Sequence, residues 1–300
     1  MIGCDPGEVS ALFFLDYVRA GGGLMQMRSD KKDGGQYMRI KEGTSAIPER
    51  MAQRLAAGTL KLESPVKRIE EISELGLRRV TTAGTFGPAS YLAKRVILSI
   101  PSPVYRTITF SPPLSPGKRA YTDSTRYASY IKYLPVFKKP FWRENGYCGL
   151  AQSFVGPVAA TRDTSFEYPD GKHYGFTCFI AGSFARKWSG MSQASKQAAV
   201  LQQLSQLFAG GNDISDLLVD VLESSWMTEE YSGWGCPIPI MSPGVFGSYW
   251  DAFVQPENGL HFVGNETSTV WRGYLDGAIR SAERGVAEVV AALKPEKALL

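Results

Sequence analysis

The residues best placed to do chemistry lie near the end of the chain, in the string HFVGNETSTVWRGYLDGAIRSAERGVAEVV from His261 to Val290. A short apolar run at 260–263, launched from the Asn258-Gly259 turn, breaks at Gly264 into the polar run Asn265, Glu266, Thr267 and Ser268, and the segment ends in a helical pattern. Ala278, Ala282, Val286, Val289, Val290 and Leu293 recur there at helical spacing while Arg280, Glu283, Arg284 and Glu288 fill the other face, which predicts a helix packed through its apolar side. Strand, glycine, polar turn and helix is a geometry that aims backbone N–H groups and a helix N-terminus at an anion such as a pyrophosphate. Many α/β proteins share that outline, so these residues alone point no further than an anion or nucleotide site. Lys132 interrupts the apolar strand pattern Tyr130-Ile131-Lys132-Tyr133-Leu134, where alternation turns a lysine to water with its stem packed. Cys236 stands in Tyr231-Ser232-Gly233-Trp234-Gly235-Cys236-Pro237, and a free cysteine is most often a small buried hydrophobe. His173 and His261 form no metal pair, and no Ser/His/Asp arrangement emerges.

The elements that must position these residues can be read in order. Residues 8–20 predict a helix with Val9, Leu12, Phe13 and Tyr17 on its apolar face, stopped by Gly21-Gly22-Gly23. Residues 34–40, which include Gln36, read as a strand, and 45–55 as a helix with Pro48 in its first turn. Strands are expected at 59–62, 66–72, 77–82 and 95–100, as in a meander, the last of them a continuous apolar run and therefore fully buried. The proline-rich piece 110–116 reads as a linker. Residues 128–137 form a strand whose Pro135 needs an edge or a bulge, 173–181 a second, and 194–208 a helix with Ala194, Ala198, Leu201, Leu204, Ser205 and Phe208 on one side. A short helix and strand follow at 216–221. No internal repeat or low-complexity tract appears.

Composition sets the outer bounds. The 300 residues suffice for one large domain or two, and 44% hydrophobic with 21% charged residues is an ordinary globular balance. A net charge of +4, with Lys31-Lys32 and Lys138-Lys139 as isolated pairs, argues against nucleic acid. Cys4, Cys148, Cys178 and Cys236 lie too far apart for a zinc site or a disulfide framework, so no metal is expected and a reducing compartment is the default. No apolar run reaches membrane-spanning length, and the polar tail 294–300 is too short to anchor, so a soluble protein is expected.

The string VGNETSTVWRGYLDGAIRSAERGVAEVV closely resembles the C-terminal flavin-binding segment of the flavin-containing monoamine oxidase family. The resemblance implies FAD as cofactor. By it, Gly264, Asn265 and Glu266 lie beside the diphosphate and ribityl chain, Gly273, Tyr274 and Leu275 pass close to the flavin ring, and Val66 contacts the adenine end. Gln36 would face the substrate cavity, Tyr274 would form one wall of an aromatic cage, and Trp226 would pack near the flavin. Pro237 stands where the cage's second ring is expected. Lys132 takes the family's active-site lysine position, ten residues before Trp142, where burial would lower its pKa as it holds a water near the flavin. Cys236 falls where animal members attach FAD through a thioether, although Trp234 is inserted between the glycines.

The fold implied is mixed α/β, a partial two-dinucleotide-binding FAD domain interleaved with a substrate-binding domain of mixed sheet and helices. Segments 1–40 and 122–235 match the substrate domain, and 41–121 and 236–300 the FAD domain. The opening G-x-G-x-x-G unit of such folds does not occur, so the chain reads as the C-terminal part of a longer, fungal-type member. The activity implied is oxidation of a small amine to an imine or aldehyde, with O2 reduced to H2O2. The location implied is cytoplasmic or peroxisomal, and a homodimer is left open. A polyamine or L-amino-acid oxidase on the same fold, or a non-catalytic remnant acting as a binding module, are the rival readings.

Overall fold

The computed structural model describes residues 2–85, 87–168 and 171–294, and it divides into two compact units. One comprises Ser10–Thr125 with Met241–Leu300, the other Met1–Val9 with Arg126–Ile240. The compact division changes at 125/126 and 240/241 and keeps residues 10–40 together with 41–121. Expectations about the tail concern 295–300, which lie outside the described residues.

In the first unit Ser10 caps α1 (Ala11–Ala20), accepting from the Phe13 N–H, and α1 is followed by α2 (Leu24–Arg28) and α3 (Ala46–Ala52). Phe13, Tyr17 and Ala20 are buried as α1's periodicity predicts, but Leu12 is exposed. Alternating β-branched segments build a four-stranded sheet in the order β3-β2-β1-β5, from β1 (Val66–Ile72), β2 (Leu77–Gly84), β3 (Gly87–Ala93) and β5 (Thr109–Ser111). The strand expected at 59–62 is absent, because that exposed stretch has no neighbour to pair with, and 34–40 runs through turns and bends into irregular chain. The proline-rich piece is also no simple linker. Phe110 and Ser111 pair in parallel with β1, and Pro116 opens α4 (Pro116–Ser124), where its missing N–H costs nothing.

β4 (Val96–Leu98) pairs in parallel with β14 (Leu260–Phe262), and α8 (Val245–Val254) lies against α4. The run at 95–100 is shorter and less buried than expected, with Ile97 exposed. Lys118 pins α4 to α8. Its ammonium is enclosed and donates to the carbonyls of Ala252, Phe253 and Gln255 at 2.9, 2.7 and 2.9 Å, and sits 3.6 Å from the Phe262 ring centroid. The C-terminal helix α9 (Leu275–Leu293) packs through a different stripe from the one expected, although Ala278 and Val289 of the expected face are partly buried and Arg280 and Glu283 are exposed. Its buried residues are Gly277, Ser281 and Gly285, whereas Val286, Val290 and Leu293 of the predicted apolar face are about half exposed. The small residues let the helix approach the backbone closely, so the stripe of least side chain is the one that packs.

In the second unit the sheet order is β12-β7-β11-β9-β8, with β10 (Phe166–Tyr168) beside β11. Its strands are β7 (Tyr130–Phe137), β8 (Ala151–Gln152), β9 (Val158–Asp163), β11 (Gly171–Ala181) and β12 (Leu218–Ser225), paired antiparallel. Ile131, Tyr133 and Phe137 alternate into a core shared with Trp142 of α5 (Phe141–Glu144), Trp188 of α6 (Gly182–Trp188) and Leu204 of α7 (Gln193–Phe208). Pro135 lies beside the irregularity between Leu218 and Asp220, the bulge that its missing donor requires. On α7 the buried face includes Lys196 and Val200, not Ala194 and Ala198, because Lys196 reaches Glu223 at 3.0 Å and lays its stem inward. A two-stranded pair, β6 (Thr125–Tyr127) with β13 (Pro239–Met241), completes the sheets. No helix among the described residues is long and apolar enough to cross a membrane.

Candidate active site

Two groups of candidate residues form, one within each unit. In the first unit Gly273 takes a φ of 82° and Trp271 one of 51°, so the chain turns sharply just before α9 and presents Tyr274 at the helix N-cap. The Tyr274 hydroxyl lies beside the side chains of Tyr17 and Gln36; burial raises its pKa, and hydrogen bonding from these two neighbours opposes the rise. Gln36 thus meets Tyr274 as a turn residue, its Nε2 also donating to the Met27 carbonyl at 3.2 Å. The ring of Trp271 packs edge-on against Tyr274 at 5.0 Å. Leu275 is exposed on the first turn of α9.

The polar turn after β14 is built differently from a free anion cradle. The Gly264 N–H already donates to Ser281 Oγ at 2.9 Å, and α9 begins only at Leu275, so strand, turn and helix N-terminus are not consecutive. Glu266 is buried, and its Oε1 accepts the Ser102 N–H at 3.1 Å. Around it Ser102 Oγ, Tyr105 OH, Tyr121 OH and Asn265 Oδ1 are buried without a hydrogen-bond partner among the described residues. Burial, and then the charge of Glu266, push both phenols well above their ordinary values. Val66 opens β1 opposite Thr82, next to an irregularity in the pairing.

In the second unit Lys132 is flanked by Phe179 on β11 and Ser224 on β12, on the sheet face away from the core. It is exposed, so the burial expected of it is not found. The Cys236 N–H donates to the Ala128 carbonyl at 3.1 Å, and its thiol donates to the Tyr130 carbonyl at 3.7 Å. Burial pushes that thiol up to about 11, with the nearby Lys132 charge pulling the other way. Trp226 is about half exposed and is no core aromatic, and Trp234 holds a φ of 57° in the same segment. No cluster of metal-ligating side chains occurs among the described residues.

Sequence reasoning missed Tyr17 as a partner of Tyr274, reading it only as part of an apolar face, and it passed over Asp16 and Arg272. The one available signal was a carboxylate beside an otherwise apolar helix face and an arginine inside a tight aromatic turn; their pairing across 256 positions cannot be read from either segment.

A buried polar turn thus follows the parallel strand β14, and Tyr274 and Gln36 meet at the start of α9. The family described as flavin containing amine oxidoreductase matches residues 4–290, and the chain belongs to it. A flavin-containing amine oxidase of Oncorhynchus mykiss is 32% identical over 288 residues, covering 95% of this chain and 53% of that protein. Cyclohexylamine oxidase from Brevibacterium oxydans superposes with a TM-score of 0.84 at 26% identity, over 98% of this chain and 62% of that one. A putrescine oxidase solved with putrescine shares the fold, with a TM-score of 0.80 at 22% identity, over 94% of this chain and 60% of that one. The chain thus spans about half the length of the curated relatives it matches.

Proposed function

We propose that this chain is an FAD-dependent oxidase of a small, neutral amine. The observation that carries the reading is the Tyr274 phenol held by Gln36 and Tyr17: an aromatic wall with neutral polar neighbours suits an uncharged amine better than a polyamine or an amino acid. FAD bound here would supply the two-electron redox chemistry that links amine oxidation to O2 reduction. Overall an amine, O2 and water give an aldehyde, ammonia and H2O2.

The residues fit such a cofactor. The buried Asn265 Oδ1, which has no partner among the described residues, is an acceptor that a ribityl hydroxyl would satisfy, and Gly264, Glu266 and Val66 are assigned to the same cofactor. Gly273 and Leu275 flank Tyr274 so that its ring can line the substrate space with Gln36. Lys132 holds a water by donating from its ammonium, and Trp226 supplies apolar surface in the same unit. Cys236 is the candidate covalent anchor. The Met1–Val9/Arg126–Ile240 unit corresponds on this reading to the substrate domain and the other to the FAD domain. A cytoplasmic or peroxisomal location and a homodimer belong to the same proposal.

The test is an assay with benzylamine and a peroxide-coupled dye of the FAD-loaded chain, alone and in a full-length context that supplies a G-x-G-x-x-G unit. Amine-dependent peroxide is expected in the full-length context, and none from the 300 residues alone, whose sequence lacks that phosphate-cradling unit. A yellow, folded full-length protein that forms none with benzylamine, putrescine or amino acids sinks the reading. Lys132→Met is expected to keep FAD content and slow flavin reduction or reoxidation by about 100- to 10,000-fold, as loss of a proton-handling group does. Unchanged stopped-flow rates in both half-reactions remove Lys132 from the site.

A further inference from the structure

The turn that presents Tyr274 is strained, and something must hold it. Trp271 is a bulky residue in the left-handed region, a conformation that persists only where surrounding contacts over-determine it. Those contacts come from the last turn of α1. The Ala20 carbonyl accepts the Trp271 N–H at 2.8 Å, the Tyr17 side chain bonds Tyr274, and between them Asp16 Oδ2 pairs with Arg272 Nη1. Asp16, Tyr17 and Ala20 lie within one turn of α1, and between them they hold Arg272, Tyr274 and Trp271.

Arg272 is buried far beyond what a surface ion pair requires, at 2% exposed. Its guanidinium lies 5.0 Å from the Phe246 ring and 4.9 Å from the Trp250 ring of α8, and its Nε donates to the Ser268 carbonyl at 2.9 Å. Burial lowers its pKa and the Asp16 carboxylate opposes that shift. A planar, five-donor cation held by rings and a carbonyl has few other orientations, which makes it a rigid strut. Asp16 also accepts from Arg19 at 2.6 Å, but Arg19 is largely exposed and adds little constraint.

We infer that Asp16 and Arg272 are positioning residues: their pair fixes the Trp271–Tyr274 turn on α1, so that the Tyr274 phenol stays where Gln36 and Tyr17 can hold it. This deepens the proposed amine-oxidase reading and rests on it for the catalytic consequence, though the conformational claim stands separately. Asp16→Asn keeps the size and an acceptor but removes the charge. Because it leaves a buried cation, the paired variant Asp16→Asn/Arg272→Gln is the companion, removing both charges together.

The experiment is ¹⁹F NMR of the full chain labelled with 5-fluorotryptophan, the Trp271 line assigned by Trp271→Phe, together with amine turnover by the FAD-loaded protein in the full-length context. Both variants are expected to shift or broaden the Trp271 line and leave those of Trp142 and Trp188 in place. The paired variant should melt closer to the wild type than Asp16→Asn does, yet keep the displaced Trp271 line. Turnover should fall in kcat by about 10- to 100-fold, the span of a misplaced contact to the reacting molecule. Arg19→Ala, which strips only the exposed partner, should change neither readout. A wild-type Trp271 line in both variants overturns the inference, as does full return of that line and of kcat in the paired variant. If the wild-type protein oxidises no amine, the oxidase reading fails while the NMR result still decides the positioning claim.

Discussion

Cys236 must lose its proton before its sulfur can bond a flavin carbon, and its surroundings resist that loss. The thiol donates to the Tyr130 carbonyl, and burial pushes its pKa up to about 11. Below that value the thiolate fraction rises tenfold per pH unit, so attachment is expected to be slow near neutrality and to quicken as the loading pH rises. Loading the protein with FAD at pH 7, 8 and 9, precipitating it with acid and measuring the colour of the pellet checks this. Colour that grows with pH and vanishes in Cys236→Ala is the expected outcome; a colourless pellet at every pH removes Cys236 as anchor.

Element by element, the most informative departure is α9. A mid-helix glycine normally invites replacement by alanine, with a gain of up to about 1 kcal/mol. Gly277 is different, because a Cβ there would run into the Trp271 carbonyl, and one at Gly285 into Val263 Cγ1. Gly277→Ala is therefore expected to destabilise the protein by about 1–3 kcal/mol, the range of overpacking, measurable as a lower urea midpoint at unchanged m-value. Ala282→Gly, on the exposed face, should lose no more than about 1 kcal/mol. The helix itself was legible from its periodicity, but which face packs was not. Apolar count pointed to Val286 and Val290, while closeness of approach selected Gly277, Ser281 and Gly285. Alternation likewise located β1, β2, β7 and β11, whose side chains face a core. It misread 34–40 and 59–62, since a strand requires a paired neighbour and a local pattern cannot show one. Among site residues, Gln36 and Tyr274 were placed through the family pattern and do meet, whereas the burial expected of Lys132 was a tertiary property that its alternating strand had already argued against.

At the scale of the whole molecule, charge and exposed apolar surface act together. Leu275, Ile279, Val286, Val290 and Leu293 leave α9 with a row of large exposed apolar side chains, on a chain of net charge +4 and pI about 8.8. Self-repulsion vanishes near that pI, so association through exposed apolar surface is expected to grow as pH rises from 7 toward 8.8. Sedimentation velocity across that range measures it, and Val286→Lys with Val290→Glu, neutral in sum, should reduce it; equal association in that variant would place the contact elsewhere. Lys118 offers a different measurement. An amine sealed between α4 and α8, with all three of its protons donated to carbonyls, is invisible to an acylating reagent in the closed state. It becomes visible only when the two helices part. The rate at which Lys118 is acetylated, divided by that of an exposed lysine such as Lys139, is therefore a clock for that parting, and its logarithm gives the opening free energy of one helix pair inside an otherwise folded protein.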